Sequence, residues 1–303
     1  MEIARTLDTQ DGATLAYRLW RPRAPRRLIV LVHGLASNLS RWAEVVAATR
    51  LRESWDLLRL DLRGFGSSLW RGRVGLDEWC HDLATVLRAE QVPRAVFVGH
   101  CLGANIALHF AARRPAAVQG LVLVEPMLDQ AFTHSLRRAA RLRPLVQALV
   151  PLIRGVNRLG LHRQRLDPLD LEQLDREARA AMAAAGPEAF PEARYGSPLA
   201  DLRSTPTAVY LAGLLTVTEP PPNLREIRTP ALALLSRGGR FGDPAVTARV
   251  LAGLPRCQTQ MLEARHWIPT ECPAEMRQAI EDWCGHFPSD TASGPRGVNA
   301  THR

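Results

Sequence analysis

Gly99-His100-Cys101-Leu102-Gly103 is a pentapeptide in which two glycines bracket a cysteine. The residues before it, 94–98, form a short apolar run of strand length, and those after it, 104–112, are rich in helix formers and carry an apolar stripe. A chain that passes directly from a strand into a helix turns sharply, and the residue at the turn takes a strained backbone conformation. The residues two before and two after it must then lack bulk, which accounts for the two glycines. The pattern therefore predicts that Cys101 is presented at a tight strand-to-helix turn as a candidate nucleophile.

Strand and helix patterns alternate along both ends of the chain. We predict a hairpin strand within 11–18, buried strands at 27–33, 55–62, 95–98, 118–125, 229–236 and 259–262, and helices at 76–91, 104–113, 244–254 and 273–287. Near-continuous apolar strands of this kind are buried on both faces, which is typical of a parallel sheet covered by helices. The sequence therefore predicts an α/β fold with a mostly parallel, doubly wound sheet.

One long segment interrupts this alternation. From Met127 to Glu226 the strand pattern disappears, and helical stretches broken by prolines take its place. We predict that residues 1–126 and 227–287 form the core and that 127–226 is a helical insertion. The tail, 288–303, is polar and rich in Ser, Gly, Pro and Asn, so we predict that it is disordered.

The composition excludes several classes of protein. Hydrophobic residues make up 46% and charged residues 23% of the chain, as in an ordinary globular enzyme. No apolar run approaches the ~18 residues that span a bilayer, and the first residues lack the basic and then apolar pattern of a signal peptide. The five cysteines show neither metal-ligand spacing nor a disulfide framework. We therefore expect a cytoplasmic protein with reduced thiols, no transmembrane segment, no metal and no cofactor.

The basic residues of the chain are all of one type. The net charge is +9, and all 39 basic residues are arginine, which indicates a coding bias more than any particular partner. The arginines are not interleaved with aromatic residues as in a nucleic-acid-binding module, so we expect no nucleic-acid partner. One segment, Arg137–Arg165, carries eight arginines that alternate with Leu and Val at roughly helical spacing. It is either a solvated helical face, or a docking surface for an acidic partner such as an acyl carrier protein or for an anionic membrane surface.

Four motifs, in the same order along the chain, resemble those of the α/β-hydrolase family. They are His33-Gly34 after a predicted strand, Asp61-Leu62-Arg63-Gly64-Phe65-Gly66-Ser67-Ser68 after the next strand, the pentapeptide 99–103, and Ala264-Arg265-His266-Trp267 near the end. The resemblance covers nearly the whole chain except the insertion and the tail. It implies the α/β-hydrolase fold, with a helical cap at 127–226 that shapes the substrate pocket.

The resemblance also implies roles for single residues. In the family, the residue at the sharp turn is the nucleophile and a histidine after the last strand is the base, which gives these roles to Cys101 and His266. The backbone amides of Leu35 and Leu102 would form the oxyanion hole. A thiol in the nucleophile position attacks as the thiolate and forms a thioester intermediate. The residues predicted to contact substrate are Gly34, Asn38, Trp42 and Trp267.

The acid of the catalytic triad departs from the family pattern. Most members place it in a Gly-x-x-Asp turn after the strand that corresponds to 229–236, and in this chain that position falls on Gly239. Two other carboxylates are candidates. Glu125 ends the strand 118–125, from which some members supply their acid, and Asp243 lies four residues after Gly239. We favour Glu125 and keep Asp243 as the alternative.

The hypothesis that fits these residues best is an enzyme that acts on an ester, thioester or lactone through a thioester on Cys101. Its substrate would be a small acyl compound, apolar and medium-sized, held under the cap. Acyl transfer, cyclisation or acyl elimination in secondary metabolism is one alternative, because a thioester is a better acyl donor than an oxygen ester. The other is a non-catalytic ligand-binding member of the fold, which the missing acid at Gly239 would suit. The pairing of Cys101 with His266 favours the enzyme.

Overall fold

Eight strands form one sheet at the centre of the molecule. The computed structural model describes residues 2–21 and 27–287, so the predicted disordered tail lies outside the described residues. The strands are β1 (Ile3–Asp8), β2 (Thr14–Trp20), β3 (Leu28–Val32), β4 (Asp56–Leu60), β5 (Ala95–His100), β6 (Val118–Val124), β7 (Ala231–Ser236) and β8 (Cys257–Leu262). Their order in the sheet is β1-β2-β4-β3-β5-β6-β7-β8. The pairs β1–β2 and β2–β4 are antiparallel and the others parallel, which confirms the prediction of a mostly parallel sheet.

Helices accompany the strands and fill the interval between β6 and β7. They are α1 (Ala43–Ala48), α2 (Leu76–Ala89), α3 (Leu102–Arg113), α4 (His134–Ala140), α5 (Arg143–Arg158), α6 (Leu171–Ala185), α7 (Glu192–Tyr195), α8 (Pro198–Ser204), α9 (Thr207–Val217), α10 (Pro244–Leu251), α11 (Ile268–Glu271) and α12 (Pro273–Gly285). Residues 127–226, all of which the structure describes, hold α4 to α9 and no strand. We call this segment the insertion, and its role as a cap stays a prediction. No helix in the described ranges combines the length and apolarity that a membrane span requires.

The strands divide their apolar side chains between two cores, one on each face of the sheet. In β3, Val30 and Val32 pack with residues of α2 and α3, whereas Ile29 and Leu31 pack with residues of α1 and α12. Successive side chains of a strand point to opposite faces, so a strand of five apolar residues is buried only when both faces are covered. All five residues of β3 are buried. The doubly wound arrangement follows directly from this pattern.

The turn from β5 into α3 depends on close contact between backbones. Helix α3 begins at Leu102, two residues earlier than the composition of 104–113 predicts, because no linker separates it from the strand. A Cβ at Gly103 would overlap the carbonyl oxygen of Val32, and a Cβ at Gly99 would overlap the backbone of Gly103. The two glycines therefore let the start of α3 lie directly against β3 and β5.

We predict that Gly103→Ala destabilises the fold by about 2–3 kcal/mol, because the neighbouring backbone of β3 cannot move away from the added methyl group. The measurement is the free energy of unfolding in urea. Gly155→Ala is the matched control: nothing lies within 4 Å of the position of its Cβ, and it sits inside α5. Alanine is the better helix former, so this control should gain up to about 1 kcal/mol. Equal effects of the two substitutions would contradict the prediction.

Candidate active site

Cys101 lies at the turn between β5 and α3, with a strained backbone. Its φ is 51° and its ψ −113°, in the region of positive φ that residues other than glycine rarely occupy. The amide of Cys101 donates to the carbonyl of Val124 at 2.9 Å, which ties the turn to the end of β6. The side chain is partly exposed. The thiol is thereby held at the carboxyl ends of the parallel strands, the edge at which such sheets bind ligands.

His266 lies beside Cys101 in the loop after β8. Its imidazole interacts with the Cys101 thiol, and its Nδ1 lies 3.0 Å from Oε2 of Glu125. A carboxylate can only accept, so Nδ1–H donates to Glu125 and Nε2 is left for the thiol. The imidazole is buried, with 3% of the residue exposed. The imidazole thus connects the thiol of Cys101 with the carboxylate of Glu125.

Glu125 follows β6 directly and also has a positive φ, 51°. Its Oε1 accepts a hydrogen bond from the amide of Ser236 at 2.5 Å, at the end of β7. The hydroxyl of Ser236 donates to the carbonyl of Arg265 at 2.8 Å, in the loop that carries His266. The main chain of β7 therefore fixes one oxygen of the carboxylate, and the other is directed at the imidazole.

The structure does not bring Asp243, our alternative acid, to His266. Asp243 is exposed, and its Oδ1 accepts from the amides of Ala245 and Val246 at 2.8 and 3.1 Å. This is the usual arrangement of an aspartate at the N-cap of a helix, here α10. The carboxylate is engaged in capping, so the geometry does not support the alternative.

Gly239, at the position where the family pattern places the acid, cannot carry a side chain without rearrangement. Its φ is 56°, and a Cβ would lie 2.8 Å from the carbonyl oxygen of Gly242 and 2.8 Å from Cδ of Pro244. A cavity of about 20 Å³ lies between Gly239, Glu125 and His266, with room for about one water molecule. The backbone of this loop thus accounts for the missing aspartate.

Opposing effects act on the pKa of His266. Burial lowers it, but the hydrogen bonds and charge interactions with Cys101 and Glu125 outweigh burial and raise the pKa from 6.5 to about 9. His266 is therefore protonated at neutral pH. The ring centroid of His100 lies 5.2 Å from that of His266. His100 is also buried, and burial holds its pKa well below the ordinary value.

The loop after β3 lies against Cys101. A Cβ at Gly34 would be 3.4 Å from the Cβ of Cys101, so the next residue, Leu35, follows directly beside the turn. Among the described residues, neither the amide of Leu35 nor that of Leu102 has a hydrogen-bond acceptor. Leu102 is the first residue of α3, and the first amides of a helix have no partner within it. Two unpaired N–H groups near a nucleophile are what an oxyanion hole requires.

His33 fixes the conformation of this loop. Its Nε2 accepts from the amide of Leu62 at 3.0 Å, so the ring is neutral and its Nδ1–H donates to the carbonyl of Gly34 at 2.8 Å. Burial lowers the pKa of His33 to about 4. The ring therefore keeps this arrangement at neutral pH and holds Gly34 in place.

Trp267, one of the predicted substrate contacts, belongs to an aromatic cluster beside the site. Its ring stacks on Phe190 of the insertion at a centroid distance of 5.2 Å, and it meets His266 edge-on at 5.6 Å. Phe241 packs edge-on against His266 at 4.6 Å. The cluster shields the imidazole from solvent and connects it to the insertion.

Asn38 and Trp42, also predicted to contact substrate, lie outside this aromatic cluster. Asn38 is buried and donates from Nδ2 to the carbonyl of Leu169 at 2.6 Å, so it joins the loop after β3 to the insertion. Trp42 is 0% exposed and packs with Leu31 in the core on one face of the sheet. A role for Trp42 as a substrate contact is therefore not supported: the short helical turn at 39–42 directs its side chain inward, which its nearness to Asn38 in sequence does not reveal.

The profile of the family described as serine aminopeptidase, S33, matches residues 23–272. The chain belongs to this hydrolase family. Its fold is the α/β-hydrolase fold: a thermophilic esterase from Thermogutta terrifontis superposes with a TM-score of 0.66 at 20% identity, over 94% of this chain and 98% of the esterase. The family description names serine enzymes, whereas this chain has cysteine at the turn.

Similarity to individual relatives is more limited. An esterase of Mycobacterium tuberculosis is 35% identical over 161 residues, which cover 52% of this chain and 50% of the esterase. A 2-succinyl-6-hydroxy-2,4-cyclohexadiene-1-carboxylate synthase of Serratia proteamaculans is 30% identical over 142 residues, 43% of this chain and 54% of the synthase. The chain spans about two fifths to half the length of the curated relatives it matches.

Glu271 is a residue of the candidate site that no sequence motif identifies. Its Oε1 accepts from the amides of Arg265 at 3.0 Å, His266 at 3.2 Å and Trp267 at 3.0 Å. Three backbone donors on one carboxylate oxygen hold the whole histidine loop. The available sequence signal is a glutamate five residues after the histidine, within α11.

A buried ion pair, also missed, joins the insertion to the core. Nη1 of Arg41 contacts Oδ1 of Asp175 in α6 at 2.6 Å and Oγ1 of Thr270 in α11 at 2.6 Å. Tyr195 of α7 donates to the same carboxylate at 2.9 Å. Both charged side chains are 5% exposed. No sequence signal marks the pair, because its members lie 134 residues apart.

We predict that the pKa of His266 lies near 9 in the native protein and falls by at least about one unit in Glu125→Gln, which removes a negative charge. NMR titration of the ring C–H resonances measures it, with His266→Gln to assign the signal. The raised pKa also stabilises the fold: this contribution is complete below pH 6.5 and is lost as pH rises through about 9. The stability advantage over His266→Gln should shrink accordingly. A native His266 that titrates near 6.5 would be inconsistent with this geometry.

We predict that Glu271→Ala lowers the free energy of unfolding by about 2 kcal/mol or more, because three amides lose their shared acceptor. Urea unfolding measures the change. Glu275→Ala, an exposed glutamate four residues later in α12, is the control and should cost less than about 1 kcal/mol. If the two variants were equally stable, Glu271 would not hold the loop.

Proposed function

We propose that this protein hydrolyses an ester, thioester or lactone through an acyl intermediate on Cys101. The observation that carries the proposal is the buried imidazole of His266, which is hydrogen-bonded to Glu125 and interacts with the thiol of Cys101. The two unpaired amides beside the thiol add support. An ester bond as the target is supported by the relative that is named an esterase and is 35% identical over about half of this chain.

In the acylation step, His266 holds the proton of the thiol, and the sulfur of Cys101 attacks the acyl carbon. The carbonyl oxygen gains the negative charge and is stabilised by the amides of Leu35 and Leu102. When the tetrahedral intermediate collapses, the bond to the leaving oxygen or sulfur breaks. His266 donates its proton to that leaving atom, and a thioester on Cys101 remains. The raised pKa of His266 favours the first proton transfer, since it keeps the proton on the imidazole.

In the deacylation step, His266 takes a proton from a water molecule, which attacks the thioester carbon. The same two amides stabilise the second oxyanion. Collapse breaks the carbon–sulfur bond, releases the carboxylic acid and returns the sulfur of Cys101 to its pair with His266. Glu125 stays ionised throughout: it orients the imidazole through Nδ1–H and stabilises the imidazolium.

We also propose that the insertion caps this site and forms an apolar pocket for the acyl group. Two contacts support the proposal. Phe190 and Tyr195 of the insertion pack against Trp267, which adjoins His266. On the other side, α9 lies so close to the loop after β3 that a Cβ at Gly213 would overlap the side chain of Leu35.

Acyl transfer or acyl elimination is a second candidate. It is favoured by the similarity to a relative named as a synthase of a cyclohexadiene carboxylate, 30% identical over 142 residues. A thioester on Cys101 would also pass its acyl group to an amine or carbon nucleophile more readily than an oxygen ester would. A non-catalytic role is disfavoured, because a binding protein has no need for a buried imidazole that is hydrogen-bonded to a carboxylate and interacts with a thiol.

We predict that p-nitrophenyl acyl esters leave one acyl group on Cys101, detected by intact mass spectrometry, and are hydrolysed. Cys101→Ala should abolish both the adduct and turnover. Glu125→Gln should lower kcat/KM by roughly 10²-fold or more. Asp243→Asn should change it less than about threefold, because asparagine also caps helices well.

Cys257→Ala is the matched control, since Cys257 is the other partly exposed cysteine of the described chain. It should keep both the adduct and the activity. Cys101→Ser tests whether the chemistry requires sulfur: retained hydrolysis indicates that a hydroxyl suffices, as in an ordinary esterase, and loss indicates that the thiol is needed. An adduct that persists in Cys101→Ala, or no adduct and no turnover in the native protein, would refute the proposal.

A further inference from the structure

Helix α5, in the insertion, carries a stripe of large apolar side chains that face solvent. The exposed fractions reach 64% at Leu145 and Leu152 and 76% at Leu159. Steps of three and four residues separate the members, so they lie along one side of the helix over a length of about 25 Å. We call them the leucine stripe, which consists of Leu142, Leu145, Leu149, Leu152, Val156 and Leu159.

Packing among residues 2–21 and 27–287 does not account for the stripe. α5 packs against α9 through a different side, on which Val150 is buried with 5% of its surface exposed. Arg143, at the start of α5, pairs with Glu219 just after α9 and donates to the hydroxyl of Thr218 at 2.9 Å. The helix is therefore attached by one side and leaves a second apolar side uncovered. A contiguous exposed apolar surface of this kind marks an interaction site.

Within the segment 130–166, which carries the stripe, all the charged side chains apart from histidine are arginines. Between Asp129 and Asp167 the chain has eight arginines and no carboxylate side chain. Of these eight arginines, all of which the structure describes, Arg143 is the one that has a carboxylate partner, Glu219. The exposed arginines lie at both ends of α5: Arg137, Arg138 and Arg141 before it, Arg158 as its last residue, and Arg163 and Arg165 after it.

A cavity next to the stripe is also lined by both apolar side chains and an arginine. It has a volume of about 360 Å³ and is lined by Leu152, Val156 and Leu161, together with the side chain of Arg163. Apolar walls with a guanidinium beside them suit an acyl chain that carries an anionic group.

We propose that the leucine stripe and its flanking arginines dock on an anionic lipid surface, with α5 lying in the plane of the interface. The leucines would enter the boundary between headgroups and acyl chains, and the arginines would contact lipid phosphates. A lipid surface offers both partners along the full length of the stripe and needs no matching groove.

Two other occupants fit the charges or the shape less well. A second copy of this chain would match the spacing of the leucines, but it would bring arginines against arginines with no carboxylate from residues 130–166 to neutralise them. An acidic carrier protein, which the sequence alone also allows, would match the arginines but would have to cover an apolar stripe about 25 Å long.

The experiment is co-sedimentation of the full-length protein with vesicles of phosphatidylcholine alone or mixed in equal parts with phosphatidylglycerol, without any substrate. We expect binding to the mixed vesicles that weakens as salt is added. Leu152→Gln combined with Leu159→Gln should reduce the affinity at least about tenfold, and so should the triple change Arg137→Gln, Arg138→Gln and Arg141→Gln.

Two control variants match these changes outside α5. Ile3→Gln with Leu199→Gln replaces two exposed apolar residues, 48% and 79% exposed, in β1 and α8. The second control replaces three exposed arginines, in the triple change Arg225→Gln, Arg249→Gln and Arg256→Gln. It lowers the net charge by as much as the triple change before α5 does. Both controls should bind as the native protein does, and all four variants should unfold at urea concentrations close to native.

Three results would overturn the proposal. One is no binding to the mixed vesicles, and another is equal loss in the variants and their controls. The third is evidence for another occupant without vesicle binding. It would be either a native dimer in size-exclusion chromatography that Leu152→Gln with Leu159→Gln converts to a monomer, or capture of an acidic carrier protein. The outcome is independent of the proposed ester hydrolysis, since the assay measures no turnover.

Discussion

The contact between the backbone of Gly103 and the carbonyl of Val32 is the constraint on which the site depends. It allows α3 to begin against the sheet immediately after β5, and this start forces Cys101 into a positive φ. The same closeness puts the first amide of α3 and the loop after β3 on one side of the thiol. The strained backbone of Cys101 and the unpaired amide of Leu102 are thus consequences of one packing contact between main chains.

The position of the carboxylate beside His266 follows from a second property of the sheet, the meeting of parallel strand ends at one edge. Because β6 and β7 are neighbours, a carboxylate after either strand can reach the loop of His266. In this chain the loop after β7 closes tightly at Gly239, whereas Glu125 has a positive φ that turns its side chain toward the histidine. A hydrogen bond from the amide of Ser236, at the end of β7, then holds the carboxylate of Glu125 in place. The backbone of β7 would hold a carboxylate of its own in the same way.

Much of this arrangement is predictable from the sequence. Apolar strands and paired glycines are local signals, so the sheet, its two covered faces and the turn at Cys101 could be predicted, and His266 could be assigned from its motif. The inward direction of Trp42 and the contacts of Glu271 could not. Both depend on how a loop turns in three dimensions, which no periodic pattern encodes. The partner of Arg41 was also hidden, because ion pairs between distant segments leave no trace in local composition.

The buried pair of Arg41 and Asp175 has a consequence for how molecules enter and leave. Asp175 belongs to α6, and it is bound to the core by Arg41 and to α11, which follows the histidine loop, through Thr270. Swinging α6 away from the core would leave a guanidinium and a carboxylate without partners, at a cost of about 3–5 kcal/mol. α6 is therefore fixed to the core and does not open as a lid. In the proposed reaction, acyl compounds reach Cys101 by a path that leaves this helix in place.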